Sequence, residues 1–459
     1  MARCRSKTRP HLRGQELNWA ETCTVSFSSP WSLNATTRPI VTFCSYDKPG
    51  SVGGPFSWLR RLLPLLRTRG IDCRCLFLTH FGGTGPIVEG LREDGFDCRV
   101  VDCHERTEDQ VRWVLEQLHE NPPDVFVPNL VVSAYHAARW VRAAGIPTVG
   151  ILHSDDPYYR AIQDEFLFGA RDLQLSSVVC VSQELERQVK LRSPANSIVA
   201  RIPYGVSIPA LLSESTPDRF RIAYVGRLAE EQKQISDLTR AFIRVCQAIP
   251  DAEAVIYGDG PDRCNVEAIL ATEGQDLRVR LAGNIPNDRI QQELLQCDVI
   301  ALLSDYEGLP IALLEAMACG CVPVCLSMQS GIPELIQDGI NGIIVTNRES
   351  SFTTAIQRLR NDVEFRDRLS LNARKTVSER FSDDAAADLW AAHLRSLKPS
   401  RAAKVISIPR KLSLPPRNAA LESEPMRATP TSNVQLFFRR TRMLAGRLRR
   451  QLLGLPIDK

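Results

Sequence analysis

Two glutamates stand eight positions apart, one in a turn after an apolar strand pattern and one inside the apolar helix pattern that follows. They are Glu307 and Glu315, in the stretch SDYEGLPIALLEAMACG at 304–320. Pro310 opens the helix where a missing N–H costs nothing, and Gly320 closes it. The helix holds no Lys or Arg, and a buried carboxylate is costly without a partner. The stretch therefore predicts a site for a polyhydroxylated, anionic ligand; a glutamate satisfied by a neighbouring loop is the alternative.

This spacing resembles the E-x7-E motif of retaining nucleotide-sugar glycosyltransferases of family 4. The resemblance implies an α/β fold of the GT-B type, with two Rossmann-like parallel-sheet domains facing across a cleft, and no cofactor or metal. In that family the second glutamate bonds the ribose hydroxyls and the first lies by the donor sugar. The resemblance therefore gives Glu315 a donor-binding role and Glu307 a catalytic one. The residues that follow Glu307 are expected to border the donor: Gly308, Leu309 and Pro310.

Two cations follow the first strand pattern of the second half, in the segment GRLAEEQK. Arg227 and Lys233 resemble the family's Arg/Lys pair, which is directed at the donor diphosphate, and Gly226 precedes them. Fixed cations in a closed cleft stabilise the charge that develops as a diphosphate leaves. The alternative is a solvated loop with two of its many charges.

Glycine turns follow two further strand patterns. Gly53 and Gly54 lie in one, and Gly258 begins the other. A strand, a glycine turn and a helix start let backbone N–H groups approach an anion. In the family the first turn lies against the diphosphate and the acceptor, and the second, with Asn284 and Ile285, borders the nucleotide. An ordinary strand-to-helix turn is the alternative for the first. The fingerprint G-x-G-x-x-G is absent, which argues against an NAD-linked oxidoreductase.

His153 follows a strand pattern in the segment ILHSDDPYY. The resemblance gives it a catalytic place beside the donor sugar; a histidine that caps a strand for structural reasons is the alternative. Asp155 and Asp156 are adjacent rather than spaced as D-x-D, so we expect them to form the turn before Pro157 and not to bind metal.

Strand patterns alternate with helical patterns through most of the chain, which predicts doubly wound parallel sheets with ligands at the strand ends. The strand patterns lie at 39–44, 71–78, 97–101, 124–127, 148–152, 178–181, 198–202, 220–225, 254–257, 279–281, 298–303, 321–325 and 343–345. The predicted organisation is a disordered basic leader at 1–38, an acceptor-side domain at 39–210, a nucleotide-sugar domain at 211–380, a helix crossing back to the first domain at 381–398, and a basic tail at 399–459.

The formal net charge of +4 is unevenly distributed, with basic ends around an acidic body. An acidic body is a poor partner for nucleic acid, so attraction to polyanions belongs to the ends. No apolar run is long enough to cross a bilayer. The 14 cysteines are scattered without a C-x-x-C pair, and no secretory segment is apparent, so a cytoplasmic location is expected.

The tail is rich in Pro, Ser and Arg to about residue 432, and that part is predicted to be disordered. Residues 436–453, LFFRRTRMLAGRLRRQLL, have the pattern of a basic amphipathic helix. Such a helix suits an anionic membrane surface at the inner face and a lipid-linked acceptor. Docking onto the acidic body and a flexible tail are the alternatives.

The functional expectation is a retaining, metal-independent hexosyltransferase that moves a sugar from a nucleotide-diphospho sugar to an acceptor hydroxyl, in cell-surface glycan or glycolipid synthesis. A catalytically silent nucleotide-sugar scaffold or sensor is the main alternative. An epimerase on the same plan ranks below transfer, because the E-x7-E spacing is typical of the transferases.

Overall fold

The computed structural model describes residues 38–47, 54–79, 83–102, 106–192, 198–213, 219–328, 330–397 and 405–422. The predicted leader, apart from its last residue, lies outside these ranges, as does the predicted amphipathic helix at 436–453.

The first domain is built from seven short parallel strands with helices between them. Its strands are β1 (Ile40–Asp47), β2 (Asp72–Thr79), β3 (Asp97–Asp102), β4 (Val125–Pro128), β5 (Val149–Leu152), β6 (Ser177–Cys180) and β7 (Ile198–Arg201). Its helices are α1 (Gly54–Thr68), α2 (Pro86–Glu93), α3 (Thr107–Glu120), α4 (Val132–Ala143), α5 (Pro157–Phe166) and α6 (Gln183–Arg192). The strand order is β3-β2-β1-β4 in one group and β5-β6-β7 in the other, and a parallel bridge between Phe126 and Thr148 links the two groups.

The second domain repeats this plan around a six-stranded parallel sheet of order β10-β9-β8-β11-β12-β13. Its strands are β8 (Phe220–Val225), β9 (Ala252–Tyr257), β10 (Val279–Gly283), β11 (Val299–Leu302), β12 (Val322–Leu326) and β13 (Ile343–Val345). Its helices are α7 (Glu230–Lys233), α8 (Ile235–Ala248), α9 (Arg263–Glu273), α10 (Asn287–Leu294), α11 (Ile311–Cys319), α12 (Ile332–Leu335), α13 (Ser350–Asn361) and α14 (Val363–Arg380).

The strand patterns explain the burial of the central strands. All residues of β4, β5, β6 and β11 are buried, as continuous apolar runs in a sheet covered on both faces should be. Both sheets are parallel throughout. The turns after these strands therefore gather at one edge of each sheet, where parallel α/β proteins bind ligands. The predicted fold class is confirmed.

Helix α15 (Asp383–Ser396) follows the second domain and packs against α1 of the first. Trp390 of this helix is buried, with its ring centroid 6.5 Å from that of Phe43 and 5.6 Å from that of Trp58. At the solvent side, the Arg69 guanidinium binds Asp388 at 2.6 Å and Asp384 at 3.0 Å. These contacts join the end of the second domain to the first.

Residues 405–422 form a strap along the first domain, ending in the short helix α16 (Ala419–Glu422). Ile406 and Leu421 are buried at its two ends, and α16 packs against α5. Between them Arg112 donates to the carbonyl oxygens of Pro409 and Arg410 at 3.2 and 3.1 Å. The prediction of disorder to about residue 432 is therefore wrong for this stretch, because two apolar anchors and satisfied carbonyls outweigh its polar composition.

Candidate active site in the cleft between the domains

The turn between β11 and α11 is held by side chains from two other turns. Asp305 accepts a hydrogen bond from the Gln234 amide at 2.6 Å and pairs with Arg348. Arg348 also donates to the Leu303 carbonyl oxygen at 2.8 Å, and the Gln232 amide donates to the Tyr306 carbonyl oxygen at 2.9 Å. The turn that carries the first glutamate is consequently fixed before any ligand arrives.

Glu307 lies in this turn and forms an ion pair with Lys233. The Lys233 and Glu307 side chains are only 14% and 7% exposed, so the pair is shielded from water. The Gln232 amide lies 3.5 Å from the other carboxylate oxygen. The structure thus brings together two residues that the sequence placed in one site, a carboxylate and a cation from separate turns.

Glu315 projects from an otherwise apolar α11, as the sequence predicted, and Gly320 ends that helix with φ of 91°. The carboxylate does have a protein partner: Nη1 of Arg61, on α1 of the first domain, lies 2.5 Å from Oε1 of Glu315. The prediction of a carboxylate that depends on a ligand for its partner is therefore wrong. No Lys or Arg lies in α11 itself, and the structure supplies the cation from a residue 254 positions away in the sequence. Glu315 thus forms a contact between α11 of the second domain and α1 of the first.

His153 is buried at the end of β5 with both ring nitrogens occupied. Nε2 lies 2.7 Å from the Asn129 amide oxygen, and Nδ1 contacts the Tyr204 hydroxyl. Burial lowers the pKa of His153 to about 3, so the ring is neutral at pH 7. An amide oxygen can only accept, so the proton sits on Nε2 and Nδ1 accepts from the tyrosine. This geometry fits the structural alternative for His153 better than direct contact with a sugar.

Gly308 brings the backbones of the two domains together. A Cβ at this position would lie 2.0 Å from the carbonyl oxygen of His153, which only glycine avoids. Leu309 and Pro310 are buried beside it, and Leu309 packs in the core that continues into the first domain. These residues line the junction of the domains through main chain and apolar contact.

The glycine turns of the second domain touch one another. A Cβ on Gly258, which has φ of +142°, would lie 1.8 Å from the Gly226 carbonyl oxygen, and the Gly258 N–H donates to the Gly283 carbonyl oxygen at 2.7 Å. Arg227 is exposed directly after Gly226. The turns after β8, β9 and β10 thus form one layer of main chain at the sheet edge.

The other predicted donor-binding residues are distributed around this edge. Asn284 is exposed and Ile285 is half-buried, directly after β10. Gly54 is the first residue of α1, whereas Gly53 lies outside the described residues.

Asp155 and Asp156 form a turn, as expected. The Asp156 carboxylate caps α5 by accepting from the Tyr159 N–H at 3.0 Å, and Asp155 pairs with Arg160 at 3.0 Å. Across the part of the chain that the structure describes, no group of three or more His, Cys, Asp or Glu side chains is arranged to hold a metal ion. No helix within the same ranges is long and apolar enough to span a membrane.

Glu334 is a further residue of the cleft that the sequence analysis missed. From α12 of the second domain it accepts from the Gln183 N–H of the first at 2.8 Å, and it lies 3.4 Å from Arg201. Burial raises its pKa above the ordinary value. No sequence pattern marks a glutamate whose partner lies in another domain.

Two facing domains of this topology define the GT-B architecture, and solved structures share it. The Anabaena protein Alr3699/HepE, solved with UDP and glucose, superposes with a TM-score of 0.63 at 20% identity, covering 78% of this chain and 100% of that one. A mutant of Staphylococcus aureus TarM, solved with fondaparinux, α-GlcNAc-glycerol and UDP, gives 0.65 at 11% identity, covering 78% and 100%. At these identities the likeness shows the fold.

Residues 213–376 match the family described as glycosyl transferases group 1. It is 32% identical over 181 residues to the α-D-kanosaminyltransferase of Streptomyces kanamyceticus, which covers 39% of this chain and 46% of that protein. It is 33% identical over 154 residues to the N-acetyl-α-D-glucosaminyl L-malate synthase of Bacillus anthracis, covering 33% and 39%. The matched part thus spans less than half the length of either relative.

Proposed function

We propose that this protein is a retaining, metal-independent glycosyltransferase that moves a hexosyl group from a nucleotide-diphospho sugar to an acceptor hydroxyl. One observation carries the proposal: Glu307, in the turn that opens α11, pairs with Lys233, and Glu315 on the same helix pairs with Arg61 of the first domain. The names of the relatives, and the UDP bound in solved proteins of this fold, support a nucleotide-sugar donor.

In this proposal the second domain holds the donor. Glu315 accepts from the ribose hydroxyls, while Arg227 and Lys233 face the diphosphate. The nucleotide binds on the layer of glycine turns, where main chain packs directly against main chain because a Cβ on Gly258 would collide with the Gly226 carbonyl oxygen. Asn284 and Ile285 border the base. A polyhydroxylated, anionic ligand gives each of these groups a partner of matching chemistry.

The transfer step needs no side-chain nucleophile. The acceptor oxygen bonds to the anomeric carbon on the face from which the diphosphate departs, the bond from that carbon to the diphosphate oxygen breaks, and the acceptor proton passes to the departing phosphate. Lys233 stabilises the charge on the leaving group, and loss of one such donor typically lowers turnover about 10²–10³-fold. Glu307 exchanges Lys233 for the donor sugar as its partner.

The test begins with calorimetric titration of the full chain with UDP-, GDP- and ADP-sugars, followed by NMR of the product made from the donor that binds. Glu315→Ala should abolish donor binding, whereas Glu307→Ala should bind donor and turn over slowly. Glu364→Ala, on the exposed face of α14, is the control. Full activity in both cleft variants would refute the site, and an inverted anomeric centre would refute retention. Donor binding without transfer or hydrolysis would favour the silent sensor.

The identity of the acceptor stays a prediction. We propose that residues 436–453 bind an anionic membrane surface and so bring the protein to a lipid-linked acceptor. The last described part of the strap, α16, packs against α5 of the first domain. Helix α5 begins directly after the turn that follows His153. The chain therefore leaves the strap at the acceptor-side domain. The full chain should sediment with vesicles that contain phosphatidylglycerol, whereas a chain ending at residue 432 should stay in the supernatant. Equal partitioning of both chains would refute membrane binding.

A further inference from the structure

Among the described residues of α1, Arg61 is the cation that contacts the second domain. Only one nitrogen of its guanidinium forms a hydrogen bond to another described residue. Nη1 binds Glu315, whereas Nε and Nη2 are shielded from solvent and have no hydrogen-bond partner among the residues that the structure describes. The Arg61 side chain is 25% exposed and the Glu315 side chain is 21% exposed. A buried guanidinium nitrogen without an acceptor is unfavourable. The pair with Glu315 therefore satisfies only part of the hydrogen-bonding capacity of Arg61.

A second carboxylate lies on α15, the helix that packs against α1. Asp383 is the first residue of α15, at the point where the chain returns to the first domain, and its N–H donates to the Val206 carbonyl oxygen at 3.1 Å. Burial raises the pKa of Asp383, the Arg61 charge opposes that rise, and the Glu315 charge adds to it. Arg61 is therefore bonded to the Glu315 carboxylate, and its charge also stabilises the ionised form of Asp383.

We propose that Arg61 is the resident counter-ion of Glu315, which the donor's ribose must displace, and that Asp383 holds the arginine once it is displaced. The inference rests on the proposed function, in which Glu315 accepts from ribose hydroxyls. The Arg61 guanidinium holds Oε1 of Glu315, so a ribose that binds both carboxylate oxygens through two hydroxyls competes with it for that oxygen. Asp383 keeps the displaced charge compensated, which limits the cost of the exchange.

Because Arg61 and Glu315 belong to different domains, the exchange also changes how the domains are joined. Before donor binds, the pair ties α1 to α11. With a ribose on Glu315 the arginine moves toward Asp383, which stands next to the connection at Val206. Donor binding therefore transfers an ionic contact from the cleft to the connection between the domains.

The test is calorimetric titration of the full chain with UDP. Arg61→Gln should bind UDP about fivefold more tightly, because the competitor is gone and a partly exposed ion pair opposes binding by no more than that. Arg60→Gln is the matched control, since Arg60 is exposed and lies beside Gly90 of α2; it should bind like the wild type. Unchanged or weaker binding by Arg61→Gln would overturn the proposal.

Asp383→Asn tests the second position of the arginine. It should weaken UDP binding about two- to threefold in the wild-type background and have no effect in Arg61→Gln, because Asp383 acts through the arginine. An equal loss in both backgrounds would overturn that role.

A ligand-free measurement separates this inference from the proposed function. If UDP fails to bind the wild type, uridine is excluded as the base of the donor, and hydrogen exchange without nucleotide then decides the role of Arg61. Arg61→Gln and Glu315→Gln should each speed exchange in α11, and the double variant should exchange no faster than either one. Exchange at the wild-type rate in the single variants would overturn the ion pair, whether or not a donor is found.

Discussion

Replacing Lys233 by methionine tests whether the Lys233–Glu307 pair supports both the fold and the reaction. The two side chains are 14% and 7% exposed, and removing one partner of a buried pair typically costs about 3–5 kcal/mol. The Gln232 amide stays 3.5 Å from Glu307 and offsets part of the loss. We therefore expect the free energy of unfolding to fall by about 3 kcal/mol, and turnover to fall about 10²–10³-fold.

Urea unfolding and donor turnover are measured side by side. Lys190→Met removes a comparable pair with Glu186 on α6, where the lysine side chain is 58% exposed, and should cost less than about 1 kcal/mol. The double variant Lys233→Met with Glu307→Gln removes both charges, so most of the stability should return while turnover stays low. The reasoning is refuted if Lys233→Met costs no more than Lys190→Met, or if the double variant is no more stable than Lys233→Met.

Three further outcomes depend on single positions. His153 is neutral when folded, with its pKa lowered to about 3, and takes up a proton on unfolding below about pH 6.5; its contribution to stability is complete above that pH and is lost as pH falls toward 3. His153→Gln should therefore flatten the pH dependence of stability measured by urea unfolding between about pH 6 and pH 4, by about 1.4 kcal/mol per pH unit. Gln234 has φ of 48°, so Gln234→Val should destabilise by about 1–2 kcal/mol while Gln234→Gly stays within about 1 kcal/mol of wild type in the same assay. Gly258→Ala, whose Cβ would lie 1.8 Å from backbone, should unfold at much lower urea than Gly339→Ala, which has φ of +70° and no atom within 4 Å; equal midpoints would contradict the steric argument.

The strands and the turns after them could be predicted because their signals are local. Every predicted strand pattern is a strand, shifted by at most three residues at its ends, since each is a run of apolar residues bounded by turn formers. The family resemblance implied that Glu307 and Lys233 share a site, and the structure brings them together because the parallel strands β8 and β11 are adjacent and their following turns meet.

Partners from distant parts of the chain could not be predicted. Arg61 sits in a helix whose pattern shows only amphipathic periodicity, and nothing in that pattern shows which carboxylate it faces. The neighbours of His153 are 24 and 51 residues away, at Asn129 and Tyr204. The prediction of disorder for the strap was wrong for a different reason. Composition measures average hydrophobicity, whereas two buried side chains, Ile406 and Leu421, are enough to anchor a short segment.

The error over Glu315 has a general physical cause. A protein folds and persists without its ligand, so a carboxylate that is shielded from water must have a partner before the ligand binds as well as after. In this cleft both glutamates have such partners, Lys233 for Glu307 and Arg61 for Glu315. A ligand then binds by exchanging these partners, and its affinity reflects the difference between two sets of polar contacts rather than the sum of the new ones. A resident counter-ion is therefore what a polar binding site requires in the absence of its ligand, and its presence does not count against the site.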